Sequence, residues 1–120
     1  MNEISKINSF KDLIVWQKSM LLTRDVYRIV GLFPKYEQYG LASQMRRSAV
    51  SIPSNIAEGH RRRHRKEYVQ FLNIANASSA ELETQLLLSQ TLYPETSYDS
   101  VLKLLEEIQR MLSSMIRKLS

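Results

Sequence analysis

The sequence predicts an all-α domain, an antiparallel up-down-up-down four-helix bundle, on three observations. Three glycines and three prolines, with their neighbours, divide the 120 residues into four long segments. Each segment repeats its apolar residues every three or four positions, which is the period of a helix and not of a strand. The connections are short, about six residues, so sequential helices run antiparallel and their seams pack side by side at shallow angles.

The first helix is expected over residues 11–32. Ser9 followed by Asp12 resembles a capping box at its start, and Pro34 stops it. Its apolar residues exceed one stripe: Leu13, Trp16, Met20, Tyr27 and Val30 follow one line, while Ile14, Leu21, Leu22, Val26 and Ile29 widen it. A face this wide needs cover, supplied either by unusual burial within the monomer or by another copy of the chain against one flank.

The second helix is expected over residues 37–59, with Gly59 read as its C-cap and Met45, Ala49, Ile52 and Ile56 as its seam. Pro53 inside it removes an amide donor and frees the carbonyl of Ala49, so a kink is expected. Ser51, Asn55 and Glu58 share one face. With Asn73, Asn76 and Ser79 of the third helix as partners, they are expected to satisfy the polar groups around the kink.

The third helix is expected over residues 65–92, with Tyr68, Leu72, Ala75, Ser79, Leu82 and Leu86 in register and Tyr93-Pro94 closing it. The fourth starts at a Ser97 cap and runs over residues 97–119 through Val101, Leu105, Ile108, Leu112, Met115 and Leu119. At about 1.5 Å per residue, each helix reaches roughly 30 Å or more. No repeat, linker or low-complexity tract interrupts the pattern, so residues 1–120 read as one domain.

Composition excludes several function classes. The chain has no cysteine, which rules out disulfides, thiolate zinc sites and cysteine nucleophiles, and points to a cytoplasmic setting. Met1 to Phe10 lacks the apolar stretch of a signal peptide, and no run approaches the ~20 apolar residues that span a bilayer, so a soluble protein with no membrane partner is expected. Seventeen basic against twelve acidic side chains give +5, an excess that attracts polyanions or simply keeps the chain in solution.

No constellation carries catalysis. Di-iron bundles need Glu-x-x-His pairs, and three residues after Glu37, Glu58, Glu67, Glu81, Glu83, Glu106 and Glu107 stand Gly40, Arg61, Gln70, Thr84, Leu86, Gln109 and Arg110. His60 and His64, four apart, could share a helix face as zinc ligands do. They sit instead in His60-Arg61-Arg62-Arg63-His64-Arg65-Lys66, where the cations repel a metal and no third ligand is evident. Ser51 and Ser54 have no histidine base near them in sequence, and glycine-rich phosphate loops are absent. A non-enzymatic protein without metal or cofactor is expected.

The basic stretch is the candidate site. Arg61, Arg62, Arg63, Arg65 and Lys66 follow Gly59 in the turn between the second and third helices, with Arg46 and Arg47 about three turns back. The planar guanidinium fork matches phosphate, so this set is the expected contact for RNA or DNA. The alternative is a solvated face in which Arg62 pairs with Glu58 and Glu67 neutralises another cation. Tyr36, Tyr39 and Tyr68 are expected near that end as half-buried anchors, with base stacking as the alternative.

Several segments carry a family resemblance together: Phe10-Lys11-Asp12-Leu13 with Val15-Trp16, Phe33-Pro34, Gly40-Leu41, Gln44-Met45-Arg46-Arg47, and above all Ser51-Ile52-Pro53-Ser54-Asn55-Ile56-Ala57-Glu58-Gly59. With Ile74-Ala75 and Glu81-Leu82-Glu83-Thr84-Gln85-Leu86, they resemble the four-helix bundle proteins encoded within intervening sequences of bacterial 23S ribosomal RNA genes, over roughly residues 10–90. The family pattern has alanine where Ser48 stands, glycine near Ala77 and leucine near Ala80, and it requires fewer basic residues than Arg61 to Lys66 supply.

The resemblance implies a short antiparallel bundle that assembles as a homo-oligomer, often a pentameric ring, without known catalysis. That favours the interface reading of the first helix. More remotely, the chain looks like the basic pentameric accessory proteins of diversity-generating retroelements, which partner a reverse transcriptase and its nucleic acid. The expectation is therefore a non-enzymatic homopentamer associated with nucleic acid, RNA foremost, through Arg46, Arg47, Arg61, Arg62, Arg63, Arg65 and Lys66. The alternative is a structural protein–protein interaction module with no nucleic-acid binding.

Overall fold

The computed structural model describes residues 9–120; Met1 to Asn8, most of the polar N-terminal stretch considered above, lie outside the described residues. Four α-helices follow in order: α1 (Ile14–Val30), α2 (Leu41–His60), α3 (Arg65–Leu92) and α4 (Asp99–Leu119), with no strand among the described residues. α1 packs on α2, α2 on α3, α3 on α4 and α4 back on α1, which leaves α1 and α3 diagonal in a molecule of 50 × 22 × 21 Å.

The helical seams read from the sequence form the core. Met45, Ala49, Ile52 and Ile56 of α2 meet Leu72, Ala75, Leu82 and Leu86 of α3, with Val101, Leu105, Ile108 and Leu112 of α4, all buried. Tyr68, Met115 and Leu119 are only partly covered, at the end of the molecule where the seams run out. α1 contributes Val15, Leu22, Val26, Ile29 and Val30 and leaves Ile14, Met20, Leu21 and Tyr27 exposed. Unusual burial within the monomer is thereby excluded as the cover for this wide face.

The first helix closes at Val30, two residues before the expected end, and four other helix ends differ from the sequence reading for local reasons. Ser9 Oγ accepts from Lys11 N–H at 3.2 Å, but what it caps is a 3₁₀ turn, Phe10–Asp12. Extended backbone at Leu13 (φ −74°, ψ 126°) then separates that turn from α1. The second helix starts at Leu41, because Lys35–Glu37 after Pro34 form another 3₁₀ turn. Glu37 still serves that helix from outside, its Oε1 accepting from Leu41 N–H at 3.2 Å.

Ser97 does not cap α4; the cap position is Tyr98, which makes no side-chain cap bond. Its buried hydroxyl donates instead to the carbonyls of Tyr93 at 3.0 Å and Ser89 at 3.2 Å, satisfying the end of α3. Gly59, read as a C-cap, lies within α2 and is buried, with no positive φ. A Cβ at Gly59 would meet Phe71 Cβ at 2.8 Å and Tyr68 Cδ1 at 3.0 Å, so this glycine lets α3 approach the backbone of α2.

The polar groups around Pro53 are satisfied in part within the Ser51–Asn55 face read from the sequence and in part by residues of other helices that spacing did not reveal. α2 continues through Pro53, and the carbonyl of Ala49 accepts from Thr23 Oγ1 of α1 at 3.2 Å. Ser51 pairs with Ser78 of α3 at 2.8 Å, and Asn55 Nδ2 donates back to the Ser51 carbonyl at 2.8 Å. Of the expected partners, Ser79 donates to the Asn76 carbonyl and accepts from Gln109 of α4, so it faces the other neighbour. No helix among the described residues is long and apolar enough to cross a membrane.

Candidate nucleic-acid interface

Arg61 to His64 form the turn between α2 and α3, and Arg65 and Lys66 open α3. All six side chains in this stretch are exposed. Two of the arginines are oriented by aromatic rings: the Arg61 guanidinium lies 5.6 Å from the Phe10 ring centre, and that of Arg62 lies 4.8 Å from Phe71. Arg62 also pairs with Glu58 across one turn at 3.7 Å, as the solvated-face reading requires, but Glu67 forms no ion pair among the described residues. Arg63, Arg65 and Lys66 likewise have no acidic partner among the described residues.

Helix dipoles explain some of these cations and not others. Arg61 follows the C-terminus of α2, where a cation is favoured by up to about 1 kcal/mol. Arg65 and Lys66 stand in the first turn of α3, where the dipole opposes them, and the His64 side chain caps none of the amides there. Stability therefore does not account for the placement of these two cations. Free amide donors beside cations are instead the elements of an anion site.

Other elements add basic residues that the motif search missed. Arg65 and Lys66 line a cleft with Leu119 and Ser120, which brings the last turn of α4, with Arg117 and Lys118, to the same end. Ser9 and Phe10 line another with His60 and Arg61, and this places the adjacent Lys11 there too. The signal was present in the basic last turn of α4. Reading it required knowing which helix ends meet.

Two residues of the expected set lie elsewhere. Arg46 and Arg47 are in the first two turns of α2, about 20 Å from Arg61 at 1.5 Å per residue. Arg46 donates to the Gln38 side chain at 3.2 Å and to the Gln38 carbonyl at 3.0 Å, and its guanidinium lies 5.9 Å from the Tyr27 ring. Tyr36 and Tyr39 are at that far end as well, and they are exposed, not half-buried. Tyr68 alone fits the anchor reading, half-buried beside His60, and burial raises its hydroxyl pKa above the ordinary tyrosine value.

The two histidines do not share a helix face, because His60 ends α2 while His64 stands in extended backbone before α3. Among the described residues no three of His, Asp and Glu come together as metal ligands would.

A family model described as 23S rRNA-intervening sequence protein matches residues 11–114. The chain is also similar to the crystal structure of a protein with unknown function from the S23 ribosomal protein family of Bacteroides thetaiotaomicron. The identity is 27% and the TM-score 0.80, covering 89% of this chain and 98% of that one. No curated protein matches the chain.

Proposed function

The chain belongs to the 23S rRNA-intervening sequence protein family, and from that premise we propose that it is a non-enzymatic, cytoplasmic, homo-oligomeric bundle that binds nucleic acid, RNA foremost, through its basic end. One observation carries this reading. Arg61, Arg62, Arg63, Arg65 and Lys66 gather with Lys11 and the last turn of α4 at one end of a 50 Å molecule. Such a cluster takes phosphate through charge and guanidinium forks.

The up-down-up-down arrangement is supported by the order of contacts. Moving along α2 from Met45 through Ser51 to Gly59 moves back along α3, from Ser89 through Ser78 to Phe71. A pentameric ring is supported by two separate apolar surfaces. Met20 of α1 is exposed beside Val50 of α2, with Tyr27 exposed further along α1, while Ile74, Leu87, Leu88 and Leu92 are exposed on diagonal α3. A ring with an odd number of subunits needs two different patches that meet head to tail. Around such a ring the basic end is repeated, so a weak phosphate patch gains avidity.

Titration of labelled RNA at several salt concentrations tests the nucleic-acid reading. Affinity should fall steeply with salt. Replacing Arg61, Arg62 and Arg63 together by alanine should flatten the log–log slope by about two, since each phosphate contact contributes about 0.7 to 0.9. An unchanged slope refutes the site. The second reading, a protein interaction module, draws on the same exposed apolar surfaces. It predicts that a pull-down after nuclease treatment still recovers a protein, a reverse transcriptase being the expected class.

A further inference from the structure

The cations of the basic end are not equivalent. The guanidinium of Arg61 lies over Phe10 at 5.6 Å and that of Arg62 over Phe71 at 4.8 Å. Arg63, Arg65 and Lys66 have neither a ring beneath them nor an acidic partner among the described residues. Both rings are half-buried and held by the fold. Phe10 belongs to the 3₁₀ turn that Ser9 caps, and its ring meets Trp16 edge-on at 5.2 Å. Phe71 stands against the end of α2 because Gly59, three residues before Arg62, carries no side chain: a Cβ there would meet Phe71 Cβ at 2.8 Å.

A guanidinium with one face against a ring keeps its N–H groups at the edge, where a phosphate can meet two of them. Neither edge is spent. Glu58 stands 3.7 Å from Arg62, beyond hydrogen-bond reach, and Arg61 has no acidic partner among the described residues. Ordering a long side chain at an interface costs affinity, and folding has already ordered these two. A lysine in either place would keep the charge but has no plane to lie on the ring and no fork.

We infer that Phe10 and Phe71 are positioning residues, which fix Arg61 and Arg62 as two preset phosphate forks that seat the nucleic-acid backbone, while Arg63, Arg65 and Lys66 act through charge. The inference rests on the nucleic-acid reading of this end and assigns the residues that orient it.

Labelled RNA is titrated at several salt concentrations against the full chain and against variants that keep its charge. Arg61→Lys and Arg62→Lys should each weaken binding by roughly twofold to tenfold with the log–log salt slope unchanged. The same exchange at Arg63 or Arg65 should cost measurably less. Phe71→Leu should reproduce the loss seen in Arg62→Lys, and Phe10→Leu that in Arg61→Lys, with every cation still present. Phe71→Tyr keeps a ring under Arg62 and should restore affinity. Adding Arg62→Lys to Phe71→Leu should cost little more than either change alone, as expected of a ring that acts through the arginine. The lysine exchanges are on exposed side chains, so they decide the matter even where a phenylalanine variant fails to fold. Equal losses for lysine at Arg61, Arg62, Arg63 and Arg65 overturn the inference, as does parental affinity in both leucine variants. Failure of the basic end itself shows differently, as a salt slope unchanged when Arg61, Arg62 and Arg63 are alanine, and that result removes the site and the inference together.

Discussion

The Tyr93 hydroxyl donates to Glu37 Oε2 at 2.5 Å while the other carboxylate oxygen of Glu37 accepts from the Leu41 amide, so one acid joins the end of α3 to the start of α2. Hydrogen bonding to Glu37, and after it to Tyr36, raises the pKa of the Tyr93 hydroxyl above the ordinary tyrosine value. The folded state therefore holds this proton where the unfolded chain loses it, near pH 10. The stabilisation is complete below that pH and is lost as pH rises through it towards the folded value. Tyr93→Phe keeps the ring against Phe33, 4.7 Å away, and removes only the hydroxyl. Its denaturation midpoint should lie below that of the parent at pH 8, and the gap should narrow above pH 10. A gap that stays constant with pH would refute the link.

Gly59→Ala distinguishes close approach from capping. Alanine is the better helix former by about 1 kcal/mol, so a glycine of no other importance would be improved by the change. Here the new methyl would lie 2.8 Å from Phe71 Cβ, an atom fixed to the backbone of α3, and 3.3 Å from the Tyr68 carbonyl oxygen. Overpacking of this kind costs about 1 to 3 kcal/mol. A net loss in thermal stability is expected, and a gain would show that the two helices separate freely.

Thr23 and Pro53 form a coupled pair through one carbonyl. Pro53 denies the buried Ala49 a helical donor, and Thr23 Oγ1 supplies one at 3.2 Å while also bonding Ser19 at 2.8 Å. Thr23→Val should cost about 1 to 3 kcal/mol, the penalty for an unsatisfied buried acceptor. With Pro53→Ala in place the amide at that position can bond Ala49, and Thr23→Val should then cost less. A double-mutant cycle with no coupling refutes this account.

The core was legible in the sequence because its signal is local. Ile52, Leu72, Leu82, Ile108 and Leu112 repeat at helical spacing, and spacing alone buries them. What depends on contacts between helices was not legible. Thr23 lies 26 residues from Ala49, and Ser78 lies 27 from Ser51, beyond any periodic rule. The candidate site was half legible for the same reason. Arg61 to Lys66 are contiguous, but the separation of Arg46 from that cluster and the addition of Arg117 and Lys118 follow from which helix ends share one end of the molecule.

The exposed flanks of α1 and α3 give the ring its test. Met20→Glu places a charge on the α1 surface, and Leu88→Glu places one on the α3 surface; both positions are exposed, so each variant should keep its helical content. Each should fall from a scattering mass of five chains to the 14.0 kDa of one. In a head-to-tail assembly each variant retains the patch that the other has lost, so mixing the two should form one intact contact and double the mass. A face that pairs with its own copy gives no gain on mixing, because the variant that keeps that face intact already pairs with itself. Parent mass in either single variant would remove that patch from the interface. A 14.0 kDa parent would remove the ring itself and leave the apolar flanks to another partner.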